Sequence, residues 1–331
     1  MTKTTTETTA KTMKAVLLND FGPADNLKVQ EVEVPQPGVN DVLVEVHATS
    51  VNLADVGVRS GMFGSMMKPP LVLGFDVAGV VAVVGEGVSE LVVGDEVYYA
   101  VELTDPRGGA NAEYHVSSAD RIAKKPSTLS FAEAAAVPVA GGTAYAALIT
   151  AADLRLGQSV LIHGAAGGVG SYAVQLAKAA GAFVFASCGA YDAELVRSLG
   201  ADVVIDYRED DVNEIVARET GGAGVDVVFD AAGGNLAESV AATKMNGQMV
   251  TVAGVRGDLN AAMRRNLRVH FVHLEDAKQK LDAMRALFER GQLKSVIGAS
   301  YPLAEVSEAH RLLEQGGSAV HGKVVIRVKE A

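Results

Sequence analysis

Residues 158–185 read QSVLIHGAAGGVGSYAVQLAKAAGAFVF, and the rest of the chain is organised around them. Residues 159–163 are a short apolar run, the length and composition of a buried parallel strand. Residues 164–170 form a glycine-rich turn, and from 171 to 180 Ala173, Val174, Ala177 and Ala180 recur at helical spacing. Gly181 stops that helix, and Phe183 opens a second apolar strand, which completes one βαβ unit.

The turn itself, Ala165-Ala166-Gly167-Gly168-Val169-Gly170, is a dinucleotide fingerprint with Ala165 in place of the first glycine. A small residue at 165 lets the chain turn sharply, Gly167 lets backbone approach a pyrophosphate, and Gly170 lets helix and strand pack closely. The helix N-terminus offers unpaired N–H groups and the positive end of a dipole to the phosphates. A tight structural turn could use the same glycines. Its place between a strand and a helix, in a unit of the right length, is the context that a dinucleotide site requires.

Outward from this unit, strands at 183–186, 203–205, 225–229, 249–252 and 268–272 alternate with helices at about 170–180, 191–199, 209–220 and 234–243. That alternation predicts an α/β fold with a doubly wound parallel sheet. An amphipathic helix over 276–290 follows, with Leu281, Met284, Leu287 and Phe288 on one face. Toward the N-terminus the texture is different. Strands at 13–19, 28–34, 42–48 and 96–100, turns at Phe21-Gly22-Pro23 and 35–38, and an apolar stretch over 71–84 broken by Gly74, Asp76 and Gly79 predict a β-rich barrel or sandwich. A helix at 303–315 and a strand at 322–328 return to that part. The expected organisation is a flexible tail at 1–12, a β-rich domain of 13–135 with 291–331, and a cofactor-binding domain at 136–290.

Half of the residues are hydrophobic (49%) and 21% are charged, enough for a large core. The net charge of -11, without a long Lys/Arg run, argues against nucleic acid as a partner. No apolar run is long enough for a membrane span, and residues 2–12 lack the apolar segment of a secretory signal, so a cytoplasmic address is expected. One cysteine, Cys188, excludes an internal disulfide and any multi-cysteine metal site.

Several segments in order, SVNLADVGVRSG (50–61), PPLVLGFDVAGVV (69–81), VGDEV (93–97), AAAVPVAGGTAYAAL (134–148), VLIHGAAGGVGSYAVQLAKAAGA (160–182), SLGADVVIDYRED (198–210) and HGKVVIRV (321–328), make the chain similar to the medium-chain dehydrogenase/reductase superfamily. Within it the chain resembles the zinc-independent quinone oxidoreductase (ζ-crystallin-like) branch. The resemblance implies a GroES-like catalytic domain, a Rossmann domain, a cleft between them and a homodimer. Zinc-dependent relatives carry a cysteine near the position of Asn52, a Gly-His-Glu where this chain has Gly74-Phe75-Asp76, and a four-cysteine lobe; these ligands are missing here. The implied activity is zinc-independent hydride transfer from NADPH to a small molecule, a quinone or an α,β-unsaturated carbonyl. The alternatives are a dedicated biosynthetic enone or enoyl reductase, and a cofactor-binding protein with little catalysis.

By the same matching, Asn52 and Asp55 line the nicotinamide and substrate site, Thr143 touches the phosphate and nicotinamide end of the cofactor, and Gly254 and Lys323 border the cleft. Ser187 ends the second strand of the nucleotide domain, where an acid would bind a 2′-hydroxyl; its absence favours NADPH, with NADH still open. Tyr207 matches a tyrosine of the 2′-phosphate pocket. Asp192 stands where many relatives have a phosphate-binding lysine, a repulsion that Arg197 or Arg208 could offset. Gly57 replaces a tyrosine of some relatives, which predicts a roomier pocket and a proton supplied by water.

Structural alternatives stand beside these roles. Asn52 is a good helix cap, and Asp55 and Arg59 have the spacing of a surface ion pair. His163 reads as a packed histidine, and His47, His115, His270 and His273 show no ligand spacing. Cys188 reads as a small buried residue, Arg264, Arg265 and Arg268 as a solvated face. Met62, Met66 and Met67 form either a surface loop or an adaptable lid over an apolar substrate.

Overall fold

A computed structural model describes residues 11–102, 104–105, 107–275, 277–316 and 320–329. Apart from Lys11 and Thr12, the expected tail at 1–12 lies outside the described residues. The chain forms two compact units, one of 1–139, 276–291 and 295–331, the other of 140–275 and 292–294.

The first unit is built on the long strand Asp41–Val51, whose Val42, Val44 and Val46 are buried while Glu45 and His47 are less so, the alternation of a strand with one face on a core. Around it runs a seven-stranded sheet in the order Ile297–Pro302, Lys323–Arg327, Asp41–Val51, Asp76–Val84, Glu96–Ala100 and Ala123–Lys124, with Tyr114–Ser118 also paired to Asp41–Val51. Strands Leu27–Glu33, Thr12–Leu18 and Leu71–Val72 make a second, three-stranded sheet. Three of these strands escape sequence patterning, the two-residue Ala123–Lys124 among them. Tyr114–Ser118 has one aliphatic residue, and its His115 is buried by hydrogen bonds to the Tyr99 hydroxyl (2.8 Å) and the Gly108 carbonyl (3.1 Å). Ile297–Pro302 carries Gly298, where a Cβ would lie 2.0 Å from the His321 carbonyl oxygen, so a residue that weakens strand patterning is what permits this pairing.

The amphipathic helix Ala277–Glu289 belongs to the first unit, not to the second as its place after the last nucleotide-domain strand predicts. It buries Leu281, Met284 and Phe288, and the Tyr98 hydroxyl donates to the Leu281 carbonyl at 2.7 Å.

The second unit is one six-stranded, all-parallel sheet in the order Val203–Asp206, Phe183–Cys188, Ser159–His163, Val225–Asp230, Thr243–Thr251 and Arg268–Phe271. Numbered within the unit this is 3-2-1-4-5-6, the doubly wound order, and it reverses between Ser159–His163 and Val225–Asp230. Both strands are fully buried at Val160, Leu161 and Ile162 and at Val227, Val228 and Phe229, as strands covered on both faces must be. One expected helix is absent. Residues 234–243 form only a short turn at Glu238–Val240 before the strand Thr243–Thr251, because Gly233 and Gly234 take positive φ (82° and 100°) and Asp230 draws the chain into a loop. Among the described residues no helix is long and apolar enough to cross a membrane.

Candidate functional site

In the second unit the candidate site is the turn at the point where strand order reverses. Gly164, at φ 70°, makes the sharp turn, one position before Ala165, the residue to which the fingerprint gives that job. Ala165 is buried and its N–H donates to the Ser187 carbonyl. At Gly170 a Cβ would sit 2.1 Å from the Gly164 carbonyl oxygen and 2.8 Å from the Ala165 Cα, so this glycine lets the helix Gly168–Ala179 close on the strand. Gly167 precedes the helix as its cap, with only the Gly164 oxygen, at 3.4 Å, near a Cβ placed there. The turn therefore offers bare backbone and helix N–H groups, with Val169 in the first helical turn.

Across the reversal point the loop after Val225–Asp230 faces this turn: a Cβ at Gly164 would lie 3.0 Å from Ala232 Cβ. Asp230, fully buried, shapes that loop by accepting from the N–H groups of Gly233 (2.9 Å) and Asn235 (2.8 Å). The acid is the sequence signal for it, since a carboxylate ending an apolar strand needs partners. Gly254 lies in open space, with nothing within 4 Å of an added Cβ, and Thr143 is buried in the helix Pro138–Tyr145.

His163 is the packed residue its position predicts. Its Nδ1 meets the Ser187 hydroxyl (2.9 Å) and its Nε2 the Ser239 hydroxyl (2.7 Å). Ser239 spends its proton on the Asn235 carbonyl, so it accepts from His163 Nε2–H, and Nδ1 accepts from Ser187. Burial lowers the pKa of His163, against the pull of Asp230, in keeping with this neutral tautomer. The Ser187 hydroxyl is thereby turned into the core. Beyond it, Tyr207 is half exposed with the Arg208 guanidinium 5.5 Å over its ring, and a Cβ at Gly189 would be 3.8 Å from Arg208 Cζ. Arg208 thus stands at the end of the strand Phe183–Cys188, while Asp192 closes the turn Ala190–Asp192 that follows. Burial raises the Cys188 thiol to about 11, that of an inert core cysteine.

The first unit contains a second candidate region, a buried polar network around Asn52. Asn52 caps the helix Leu53–Arg59 in a capping box with Asp55, and its side chain reaches beyond the helix as well. Nδ2 donates to Asp76 Oδ2 (2.7 Å) and Asp55 Oδ2 (3.3 Å), and Oδ1 accepts from the Lys323 ammonium (2.5 Å). Lys323 also donates to the Val51 carbonyl (3.3 Å) and Asp76 Oδ2 (3.5 Å). Asp76 accepts in addition from the Ser50 hydroxyl (2.5 Å) and the Val139 N–H (2.7 Å). Asp55 accepts from the N–H groups of Asn52 and Gly74, both at 2.8 Å. Ser50, Asp55, Asp76 and Lys323 are all buried, and only Asn52 is partly exposed. Burial pushes the Asp55 carboxyl up to about 7; the N–H bonds and Lys323 oppose this, and the Asp76 charge adds to it.

Two expectations fail here. Asp55 and Arg59 do not form a surface pair: both are about 1% exposed, and Arg59 bonds the Gly22 carbonyl and Glu314. Nor does Gly57 leave space, because a Cβ there would meet Phe63 Cε2 at 3.0 Å and Met62 Sδ at 3.5 Å. Of the methionine-rich loop, Met62 and Met66 are exposed, while Met67 packs against the core. Ser50 and Asp76 are members that sequence reading missed. The available signal was Asp76 itself, an acid inside the apolar run 71–84. No group of three or more His, Cys, Asp or Glu that could hold a metal occurs among the described residues.

Comparison with known proteins gives the family of the chain. The family model for the alcohol dehydrogenase GroES-like domain matches residues 38–140, and that for a zinc-binding dehydrogenase matches residues 199–326. The chain is 34% identical to a quinone oxidoreductase of Pongo abelii, over 96% of this chain and 98% of the relative. It is 35% identical to a chloroplastic NADPH-dependent alkenal/one oxidoreductase of Arabidopsis thaliana, over 96% and 80% respectively. The crystal structure of Escherichia coli quinone oxidoreductase complexed with NADPH superposes with a TM-score of 0.84 at 30% identity, over 95% of this chain and all of that one. The chain belongs to the medium-chain dehydrogenase/reductase family, in its quinone oxidoreductase branch.

Proposed function

We propose that the protein transfers hydride from NADPH to a quinone or an α,β-unsaturated carbonyl compound without zinc. The observation that carries this reading is the occurrence in one chain of a backbone-lined dinucleotide turn and of a buried network whose cation is an ammonium. The relatives named as quinone and NADPH-dependent alkenal/one oxidoreductases, and the neighbour that holds NADPH, support it.

The bound nicotinamide would supply the hydride. Gly167, Gly168, Val169 and the N-terminus of Gly168–Ala179 would take the pyrophosphate, with Ala165 and Gly170 shaping the turn. Arg208 beside Gly189, stacked on Tyr207, supplies the charge for a 2′-phosphate that Ser187, turned inward, neither attracts nor repels. Thr143 and Gly254 keep the roles that the family resemblance assigns. Asn52, the partly exposed member of its network, orients the acceptor, with Asp55 and Lys323 behind it.

The preference for activated acceptors follows from what the network can spare. Reducing a saturated ketone calls for a Lewis acid on its oxygen. The cation here, Lys323, already gives its three N–H groups to Val51, Asn52 and Asp76. The sole cysteine, Cys188, lies outside the segment that matches the zinc-binding dehydrogenase model. Quinones and enones spread the arriving charge over their own conjugated system and need chiefly positioning. A homodimer is carried over from the family resemblance, and sedimentation would test it.

The test follows nicotinamide oxidation by chelator-treated protein with NADPH and NADH, against a para-quinone, a conjugated enone and a saturated ketone. Turnover of the first two with NADPH preferred is expected. Turnover confined to the ketone, or lost with the chelator and restored by zinc, would overturn the reading.

A further inference from the structure

Four hydrogen bonds of the network around Asn52 converge on one carboxylate, which the sequence shows only as an acid inside an apolar run. Asp76, at the start of the strand Asp76–Val84 and fully buried, receives four donors: Val139 N–H on Oδ1, and Ser50, Asn52 and Lys323 on Oδ2. Oδ2 is crowded with donors and the whole residue is buried, so Asp76 offers a ligand no accessible atom.

The consequence falls on Asn52. Its amide has two ends of opposite polarity, and its surroundings discriminate between them. Nδ2 faces the two carboxylates of Asp76 and Asp55; Oδ1 faces the ammonium of Lys323. Rotating the amide by half a turn would put its oxygen against both carboxylates and its NH2 against the ammonium. Electrostatics fixes one orientation. In it both Nδ2 hydrogens are spent on Asp76 and Asp55, and Oδ1 is held on the Lys323 ammonium.

We propose that Asp76 is the positioning residue of this site: its carboxylate fixes the orientation of the Asn52 amide, holds Lys323 against the amide oxygen, and so sets which edge of Asn52 meets the bound reactants. The proposal rests on the reading of the protein as a reductase. Asp76 touches no reactant and acts through Asn52. The charged groups facing Asp55 are Asp76, from the strand Asp76–Val84, and Lys323, from the strand Lys323–Arg327. The Asp76 charge disfavours ionisation of Asp55, and Lys323 favours it.

Asp76→Asn is the variant to make, because it keeps the shape and removes the charge, and Ser50→Ala is the milder second, removing one donor to Asp76. The measurements are kcat and KM for a para-quinone with NADPH, dinucleotide affinity by calorimetry, and the midpoint of Asp55 from the carboxyl 13C shift against pH. In Asp76→Asn we expect kcat to fall by roughly tenfold or more, as when a group that orients an active-site side chain is lost, with dinucleotide affinity unchanged. The Asp55 midpoint should move to lower pH than the wild-type value of about 7, since a like charge has gone. Ser50→Ala should lower kcat by less and leave the Asp55 midpoint in place, because the Asp76 charge remains. An active wild type whose kcat and Asp55 midpoint are unaltered in Asp76→Asn overturns the proposal. Should Asp76→Asn not fold, an unaltered kcat in Ser50→Ala does so. A wild type without turnover overturns the functional reading instead, and the Asp55 midpoint then still decides whether Asp76 governs the network.

Discussion

The glycine turn of the second unit and the Asn52 network of the first unit present polar groups in opposite ways. The turn works by omission. Gly167 and Gly170 carry no side chain, and the groups offered are backbone and helix N–H. The network works by pairing: Lys323 gives its three N–H groups to Val51, Asn52 and Asp76, Asp76 takes four donors, and Asn52 is the partly exposed member. A site made of backbone fails with any added atom. A site made of paired charges tolerates atoms and fails when polarity changes.

The largest effect is expected where the turn has no room. Gly170→Val would drive a Cβ into the Gly164 carbonyl oxygen, which is backbone and cannot yield. A loss of about 3 kcal/mol or more in stability is expected, on the scale of overpacking at a strained site, with dinucleotide binding lost as well. Gly168→Asp would keep the fold and place a charge at the helix N-terminus where the pyrophosphate would lie. Calorimetry should show no dinucleotide binding; unchanged affinity would break the contrast between the two regions.

In the network the informative change is electrical. Asp55 ionises near pH 7 in the folded protein and near 3.8 when free, so the folded state holds a proton that the unfolded state has released between those values. The Asp55 contribution to stability therefore declines as pH rises from about 4 to about 7, at roughly 1.4 kcal/mol per pH unit for one proton, and is level above; the buried His115 and His310, held neutral by burial, contribute with the opposite sign, so the difference between wild type and Asp55→Asn isolates it. The sign is opposite to that of a salt-bridged carboxylate. Stability of Asp55→Asn relative to wild type should rise by that slope across the range, and denaturant midpoints measured in both proteins will show whether it does.

Smaller effects sharpen the cofactor side. Arg208→Ala should weaken NADPH by about tenfold, the loss of one exposed charge-assisted contact, and leave NADH unchanged. Asp192→Lys should raise NADPH affinity relative to NADH by a few-fold at most. If neither ratio moves, the 2′-phosphate is not read at Gly189, Tyr207 and Arg208.

The same contrast explains what could be read without coordinates. The turn lies within 158–185, its glycines are nearly contiguous, and its strand and helix flank it, so the doubly wound fold and the candidate dinucleotide residues were legible from local pattern. The network gathers residues 50–55, 74–76, 139 and 323, brought together by pairing of Asp41–Val51 with both Asp76–Val84 and Lys323–Arg327. Spacing cannot announce that. Asn52, Asp55 and Lys323 came only through family resemblance, and Asp76 passed as a break in an apolar run. Phe63 filling the space at Gly57, and Asp230 turning an expected helix into a loop, are likewise packing events between segments that composition does not link.

The central claim is tested most directly by a single turnover of a conjugated enone with NADPH carrying deuterium at the transferable C4 position. Direct hydride transfer predicts one deuterium on the β-carbon of the saturated product, with the α-hydrogen taken from solvent. Reduced product without the label, or no reduction of enone or quinone while NADPH binds, would contradict it.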